Sequence, residues 1–255
     1  MIGSTRSPGF IYVAMALLFV ITAIAGFAPT SIGLISSVTS GLQPPPPFIV
    51  HFHAASMSLW LILLTTQATL MYTKRSALHK RLGLVSLVLA PCILLSMYGV
   101  ELLNVGSSVF ASSDPSSEQT TEFMRNISDS LLIHGVSFLF FPVFYLWAIL
   151  VRQKDSESHK RLMILATLVL MIPALGRLLS VTQVLPDFGL SIVDARHFYM
   201  LVLILPAVIY DIVKNRMLHR SYLIGLTLIG IWVVPAHFLW DSAWWIETAP
   251  KLLGV

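Results

Sequence analysis

Seven apolar segments divided by short polar turns constrain this chain more than any other feature. They run over residues 10–28, 48–71, 83–105, 130–151, 162–182, 197–213 and 221–240. A helix needs about 20 apolar residues to cross the hydrocarbon core of a bilayer. Backbone in lipid must satisfy its own hydrogen bonds, which selects helices for such segments. The expected fold is therefore all-α: one polytopic membrane helix bundle of seven transmembrane helices, a single domain over 1–255. Composition agrees, because only 11% of residues are charged and 56% are apolar, where soluble domains carry about 25% charged residues.

The turns between segments sort by charge. Lys74, Arg75, Lys80 and Arg81 crowd the turn after the second segment. Arg152, Lys154, Lys160 and Arg161 crowd the turn after the fourth, and Lys214, Arg216 and Arg220 the turn after the sixth. On the alternate side, 29–47 has no charge and 106–129 carries Asp114, Glu118, Glu122 and Asp129. Basic loops stay in the cytoplasm, so the N-terminus is expected inside and the C-terminus outside, in a bacterial cytoplasmic (inner) membrane. The formal charge of +4 then reports topology, and no nucleic-acid partner is expected. The single Cys92 excludes an internal disulfide, iron–sulfur ligation and an all-cysteine zinc site. Residues 10–28 read as a retained first span, 106–122 as a mobile outer loop, and Trp240, Trp244 and Trp245 as an interfacial belt.

One pattern occurs three times. His53 opens a span that ends at His79-Lys80-Arg81-Leu82; His134 opens one that ends at His159-Lys160-Arg161-Leu162; His197 opens one that ends at His219-Arg220. Three hairpin repeats, about 48–105, 130–182 and 197–240, are expected around a common axis, with the first helix added.

Depth along the helices brings chemistry-bearing residues to one level. His53 lies 21 residues before Lys74, His134 18 before Arg152, His197 17 before Lys214, and His237 17 after Arg220. At the α-helical rise these imidazoles stand roughly 26–31 Å from the basic boundary, near the opposite edge of the apolar slab. Glu101 and Arg177 reach the same layer and are expected to pair with each other. His53 continues inward through Ser56, Trp60 and Gln67, while His51 points some 200° away on the helix. Imidazoles converging from several helices are how bundles build metal or haem sites. His53, His134, His197 and His237 are the ligand candidates, for iron, copper, zinc or haem b. Glu101 would be a further ligand, orienting group or proton acceptor, and Arg177 would hold an anionic group. Polar residues bridging helices also serve simply as glue, so a non-enzymatic accessory or transport protein is the other expectation.

At the basic end, His79, His159 and His219 read as helix-end caps beside lysines and arginines that snorkel to lipid, with a second haem as the alternative. Asp211 is expected to pair with Lys214 or Arg216. Prolines 91, 142, 173, 206 and 235 fall inside spans and predict kinks. No clustered HxxxH and HxxHH set, no G-x-S-x-G elbow and no phosphate-cradling glycine loop occurs, which excludes the chemistries those motifs carry.

His51-Phe52-His53, Trp60, Gln67, Leu78-His79-Lys80-Arg81-Leu82-Gly83 and His159-Lys160-Arg161-Leu162-Met163 carry a resemblance to a family of bacterial multi-pass membrane proteins. It covers roughly 48–180 and implies a membrane bundle without implying a particular activity. The basic-turn-plus-span unit is similar to small membrane proteins linked with haem–copper oxidase assembly. Histidines near both faces look like those of the four-helix cytochrome b561 type, although here the inner ones lie in basic turns. The functional expectation is a membrane oxidoreductase or redox carrier whose partners are the lipid bilayer and a lipid-soluble molecule such as a quinone.

Overall fold

A computed structural model describes residues 9–109, 118–186 and 188–252. Residues 110–117 of the expected mobile outer loop, Asp114 among them, lie outside the described residues, while 106–109 and 118–122 are helical rather than loop. Among those described, the chain is all-α: α1 (Phe10–Thr39), α2 (Phe48–Tyr72), α3 (Ser76–Gly83), α4 (Val85–Val109), α5 (Glu118–Val151), α6 (Ser156–Val169), α7 (Ile172–Ser180), α8 (Ile192–Asn215), α9 (Arg220–Leu239) and α10 (Ala243–Leu252). Six helical stretches are long and apolar enough to cross a membrane: Phe10–Thr39, Phe48–Tyr72, Ser76–Leu103, Met124–Val151, Ile192–Asn215 and Arg220–Leu239. This is the architecture of an integral multi-pass membrane protein.

The segment expected as one span over 162–182, with a kink at Pro173, is broken into two helices. α6 and α7 meet at a 43° bend, and the cause is local. Pro173 has no N–H to give the carbonyl four residues earlier, that of Val169. The buried Ser137 hydroxyl of α5 donates to that Val169 carbonyl instead, at 2.5 Å. A freed carbonyl in lipid must find such a partner, so a side chain on the adjacent helix stabilises the break.

α6 is the axis of the bundle. Leu162, Leu165, Ala166, Leu168 and Val169 are fully buried, as a helix enclosed on nearly every side requires. α5 runs along it, α9, α1 and α8 flank it, and α2 pairs with α4 beside α1. Lipid tails are as apolar as leucine, so close packing and interhelical hydrogen bonds hold such helices together. Gly26 of α1 shows the first: a Cβ there would stand 2.5 Å from the Ala174 carbonyl oxygen of α7. Trp60 shows the second, donating from Nε1 to Thr167 Oγ1 at 3.1 Å and packing edge-on against Phe141 and Tyr145. Outward, Ile21, Ile24, Ile32 and Ile35 of α1 are 61–68% exposed, a face suited to lipid.

Several boundaries differ from expectation. α1 is 30 residues long, about 45 Å at the helical rise, because nothing in the uncharged 29–39 stretch stops it. α10 was not foreseen. It packs on α5, where Trp245 Nε1 donates to the Ser128 carbonyl at 2.9 Å, whereas Trp244 is 62% exposed. The aromatic cluster thus splits between a packing anchor and an outward ring.

Candidate functional site

The basic end is built on a buried ion pair. Arg161 reaches Asp211 through Nη2 and, at 3.2 Å, through Nε, and both side chains are almost wholly buried. Asp211 also accepts from Asn215 Nδ2 at 2.7 Å and the His219 backbone N–H at 2.9 Å. Glu157 accepts from Arg161 Nη1 at 2.8 Å, and the guanidinium lies 5.9 Å from the Tyr222 ring centre. This corrects two expectations: Asp211 pairs with neither Lys214 nor Arg216, and Arg161 is an internal anchor rather than a lipid-facing cation. Charge density made the basic-turn residues look alike, yet of the two on α6, Lys160 and Arg161, only Arg161 is buried.

The three basic-end histidines take different roles. His79 and His159 hold the fourth positions of α3 and α6, and their rings meet edge to face at 6.5 Å. His159 Nδ1 donates to the Ala148 carbonyl at 2.9 Å. His219 instead caps α9, its Nδ1 accepting from the Ser221 N–H at 3.2 Å. Burial and the nearby Arg161 lower its pKa from the ordinary imidazole value, in keeping with a neutral, accepting ring. Of the three, only His219 is a cap. Asp155 caps α6, accepting from Ser158 N at 2.9 Å and Ser158 Oγ at 2.6 Å, and pairs with Arg220 at 2.6 Å.

At the opposite end the expected layer is present, with different pairings. Glu101 of α4 is buried and bonds to α5: Ser130 Oγ donates to Oε1, and His134 Nδ1 lies 3.3 Å from Oε2 and 3.2 Å from Ser130 Oγ. Since the serine proton goes to the carboxylate, its oxygen accepts, and His134 Nδ1 is the donor. The same logic fixes His53. Ser96 Oγ gives its proton to the Ile93 carbonyl at 2.9 Å, so at 3.0 Å it accepts from His53 Nδ1. His134 and Arg177 stand near His53. His237 Nδ1 donates to Asp194, 2.9 Å from both carboxylate oxygens, and its ring side is 56% exposed. Each of these three rings is held through Nδ1, so that in its neutral form the free lone pair lies on Nε2.

His197 is 1% exposed and neither of its ring nitrogens has a hydrogen-bond partner. Arg177 does not pair with Glu101. Its Nη1 donates to the Pro173 carbonyl at 3.2 Å and its guanidinium stacks 4.3 Å from the Phe27 ring centre. Equal depth placed the two residues in one layer, but depth carries no information on which way round its helix each points. Arg196, which the sequence reading passed over, belongs to the layer as well. It is adjacent to His197 and 18 residues before Lys214, a spacing that would have found it. His51 lies exposed at the rim.

The four candidate histidines thus share one end of the bundle without closing into a single cluster. Among the described residues, no three His, Cys, Asp or Glu side chains stand where they could hold one metal ion. His53 and His134 both bond to α4, through Ser96 and Glu101, while His237 belongs with Asp194 on α8. Comparison with protein-family models, curated proteins and solved structures finds no match.

Proposed function

We propose that this chain is a membrane-embedded redox protein that holds haem b or a transition metal through imidazoles at the end opposite its basic turns. The observation that carries this reading is the oxygen partner at Nδ1 shared by His53, His134 and His237. In the neutral ring that contact leaves the Nε2 lone pair for a ligand. Ligand histidines are arranged this way, the outer hydrogen bond fixing the ring and raising its basicity. A pair of imidazoles suffices for haem, whereas zinc or copper sites take three or four protein ligands. The donor set therefore fits haem b on His53 and His134 better than a four-histidine ion site. Haem would supply one-electron chemistry; Glu101 would orient His134 and take up protons, and Arg177 would offer its cation to a nearby anionic group. The electron donor or acceptor would be lipid-soluble, a quinone for example, approaching from the bilayer.

Seven crossings, counting the bent α6–α7 pair as one, accompany this proposal. So do a cytoplasmic N-terminus, an extracytoplasmic C-terminus, residence in a bacterial inner membrane and descent of the hairpins from one repeat. Positive charge concentrated in alternate turns supports the orientation.

A second reading keeps the layer as helix glue in an accessory or transport protein. The bonding of Glu101, Ser130 and His134 across α4 and α5 favours it, since those contacts hold helices whether or not a cofactor binds. An absorption spectrum and elemental analysis of the purified chain separate the two. A Soret band with one iron per chain is expected; its absence together with sub-stoichiometric metal selects the accessory class.

A further inference from the structure

Two arginines at the same end remain without a carboxylate. Arg177 closes α7 and Arg196 lies in the first turns of α8, each as the other's charged neighbour. Among the described residues, Glu101 is engaged with Ser130 and His134, and Asp194 with Ser191 and His237. Neither arginine makes a salt bridge among the described residues, and Arg196 Nε is buried with no partner. The guanidinium of Arg196 lies against Gly176, where a Cβ would stand 2.7 Å from Cζ and 2.7 Å from Nε. Absence of a side chain at 176 is thus what makes room for the Arg196 guanidinium beside the residue that precedes Arg177. Like charges gathered in a half-buried, low-dielectric place repel unless an anion joins them.

We propose that Arg177 and Arg196, with Gly176 between them, form a binding site for a phosphate group. Two planar forks present donors to several oxygens of one tetrahedral anion, the recognition at which arginine excels. Phe27 stacks under Arg177 and is itself 38% exposed, so the site borders the outward apolar face of α1. That position suits the phosphodiester of a lipid whose chains lie along the helix; free phosphate carries the same chemistry. The site is independent of whether the histidines hold a cofactor.

Native mass spectrometry of the full-length purified chain tests it, with phosphatidylglycerol and a diacylglycerol of identical chains as probes, alongside equilibrium dialysis against radiolabelled inorganic phosphate. One phosphatidylglycerol is expected to remain bound and diacylglycerol to be lost, with retention falling at least tenfold in Arg177→Gln and in Arg196→Gln. Arg125→Gln, on α5, serves as the control and keeps wild-type retention. Stoichiometric uptake of inorganic phosphate lost in the same two variants supports the site with a soluble ligand as its source. Arg196→Lys and Gly176→Ala preserve net charge; the first removes the fork and the second displaces it, so both weaken retention even where a glutamine variant fails to fold. His134→Ala leaves retention unchanged whatever the cofactor content. Equal retention in wild type, Arg196→Lys and Gly176→Ala, or equal retention of the two lipids with no phosphate uptake, overturns the proposal.

Discussion

Replacing Asp211 by asparagine isolates the contribution of the buried ion pair. The two side chains have the same shape, so no cavity opens. What changes is charge and donor sense. Oδ1 of Asp211 receives Arg161 Nε, Arg161 Nη2 and Asn215 Nδ2, and Oδ2 receives the His219 N–H. An amide has one acceptor oxygen. In either orientation its NH2 group faces a donor, and the Arg161 guanidinium, 4% exposed, loses its only buried counter-charge. Breaking such a pair by removing one partner costs about 3–5 kcal/mol. Glu157 stays 2.8 Å from Nη1 but is 54% exposed, so its compensation is small. The apolar double variant Arg161→Met/Asp211→Leu removes both charges and leaves the His219 N–H, near the surface, to water. It is expected to cost no more than about 2 kcal/mol. Equilibrium unfolding in mixed micelles, followed by tryptophan fluorescence, measures both. A single-variant loss below about 1 kcal/mol, or a double variant as unstable as the sum of the singles, refutes the assignment of Arg161 and Asp211 as an obligate buried pair.

Ser137→Ala removes the hydroxyl that caps the Val169 carbonyl and should lower stability by about 1–3 kcal/mol in the same assay; a neutral result would mean the break at Pro173 needs no such cap. Gly26→Ala should cost about 1–3 kcal/mol because the new methyl meets the α7 backbone, whereas Gly33→Ala, with nothing within 4 Å, should cost nothing; equal melting temperatures would contradict the α1–α7 contact. Asp155→Ala should cost about 1–2 kcal/mol by uncapping α6. Hydrogen bonds from Ser158 and the Arg220 charge hold the Asp155 carboxyl well below the usual aspartate value of 3.8, so its stabilisation is full above that value and disappears as pH falls through the lower folded one. The gap between wild type and Asp155→Ala should therefore narrow below about pH 4; a gap that widens on acidification would reverse the sign.

Hydropathy made most of the helices legible because lipid imposes one rule on every crossing segment. α2, expected over 48–71, forms Phe48–Tyr72, and the inward stripe through Ser56 and Trp60 is buried. The α6–α7 break was less legible, since proline predicts a kink without saying which neighbour takes the freed carbonyl. α10 escaped because a short amphipathic helix after the last span has no lipid-length signal. In the polar layer, counting residues put Glu101 and His134 at one level, where they do meet, but it carried no azimuth. That is why Glu101 faces Ser130 and His134 while Arg177 turns to Phe27. The absence of a shared four-histidine cluster has the same origin. His219 shows the limit of motif reasoning: its place in the repeated pattern matches His79 and His159, yet a preceding left-handed turn at Arg216, φ 61°, delivers it as a helix cap.

Cofactor content of point variants tests the central claim most directly. Purified wild-type protein, His53→Ala, His134→Ala and His237→Ala would be compared by absorption spectrum and iron per chain. Near-stoichiometric haem in wild type and in His237→Ala, with loss in His53→Ala and His134→Ala, is the expected result. Content that is nil throughout, or unaltered when His53 and His134 are removed, would contradict a site built on those two rings.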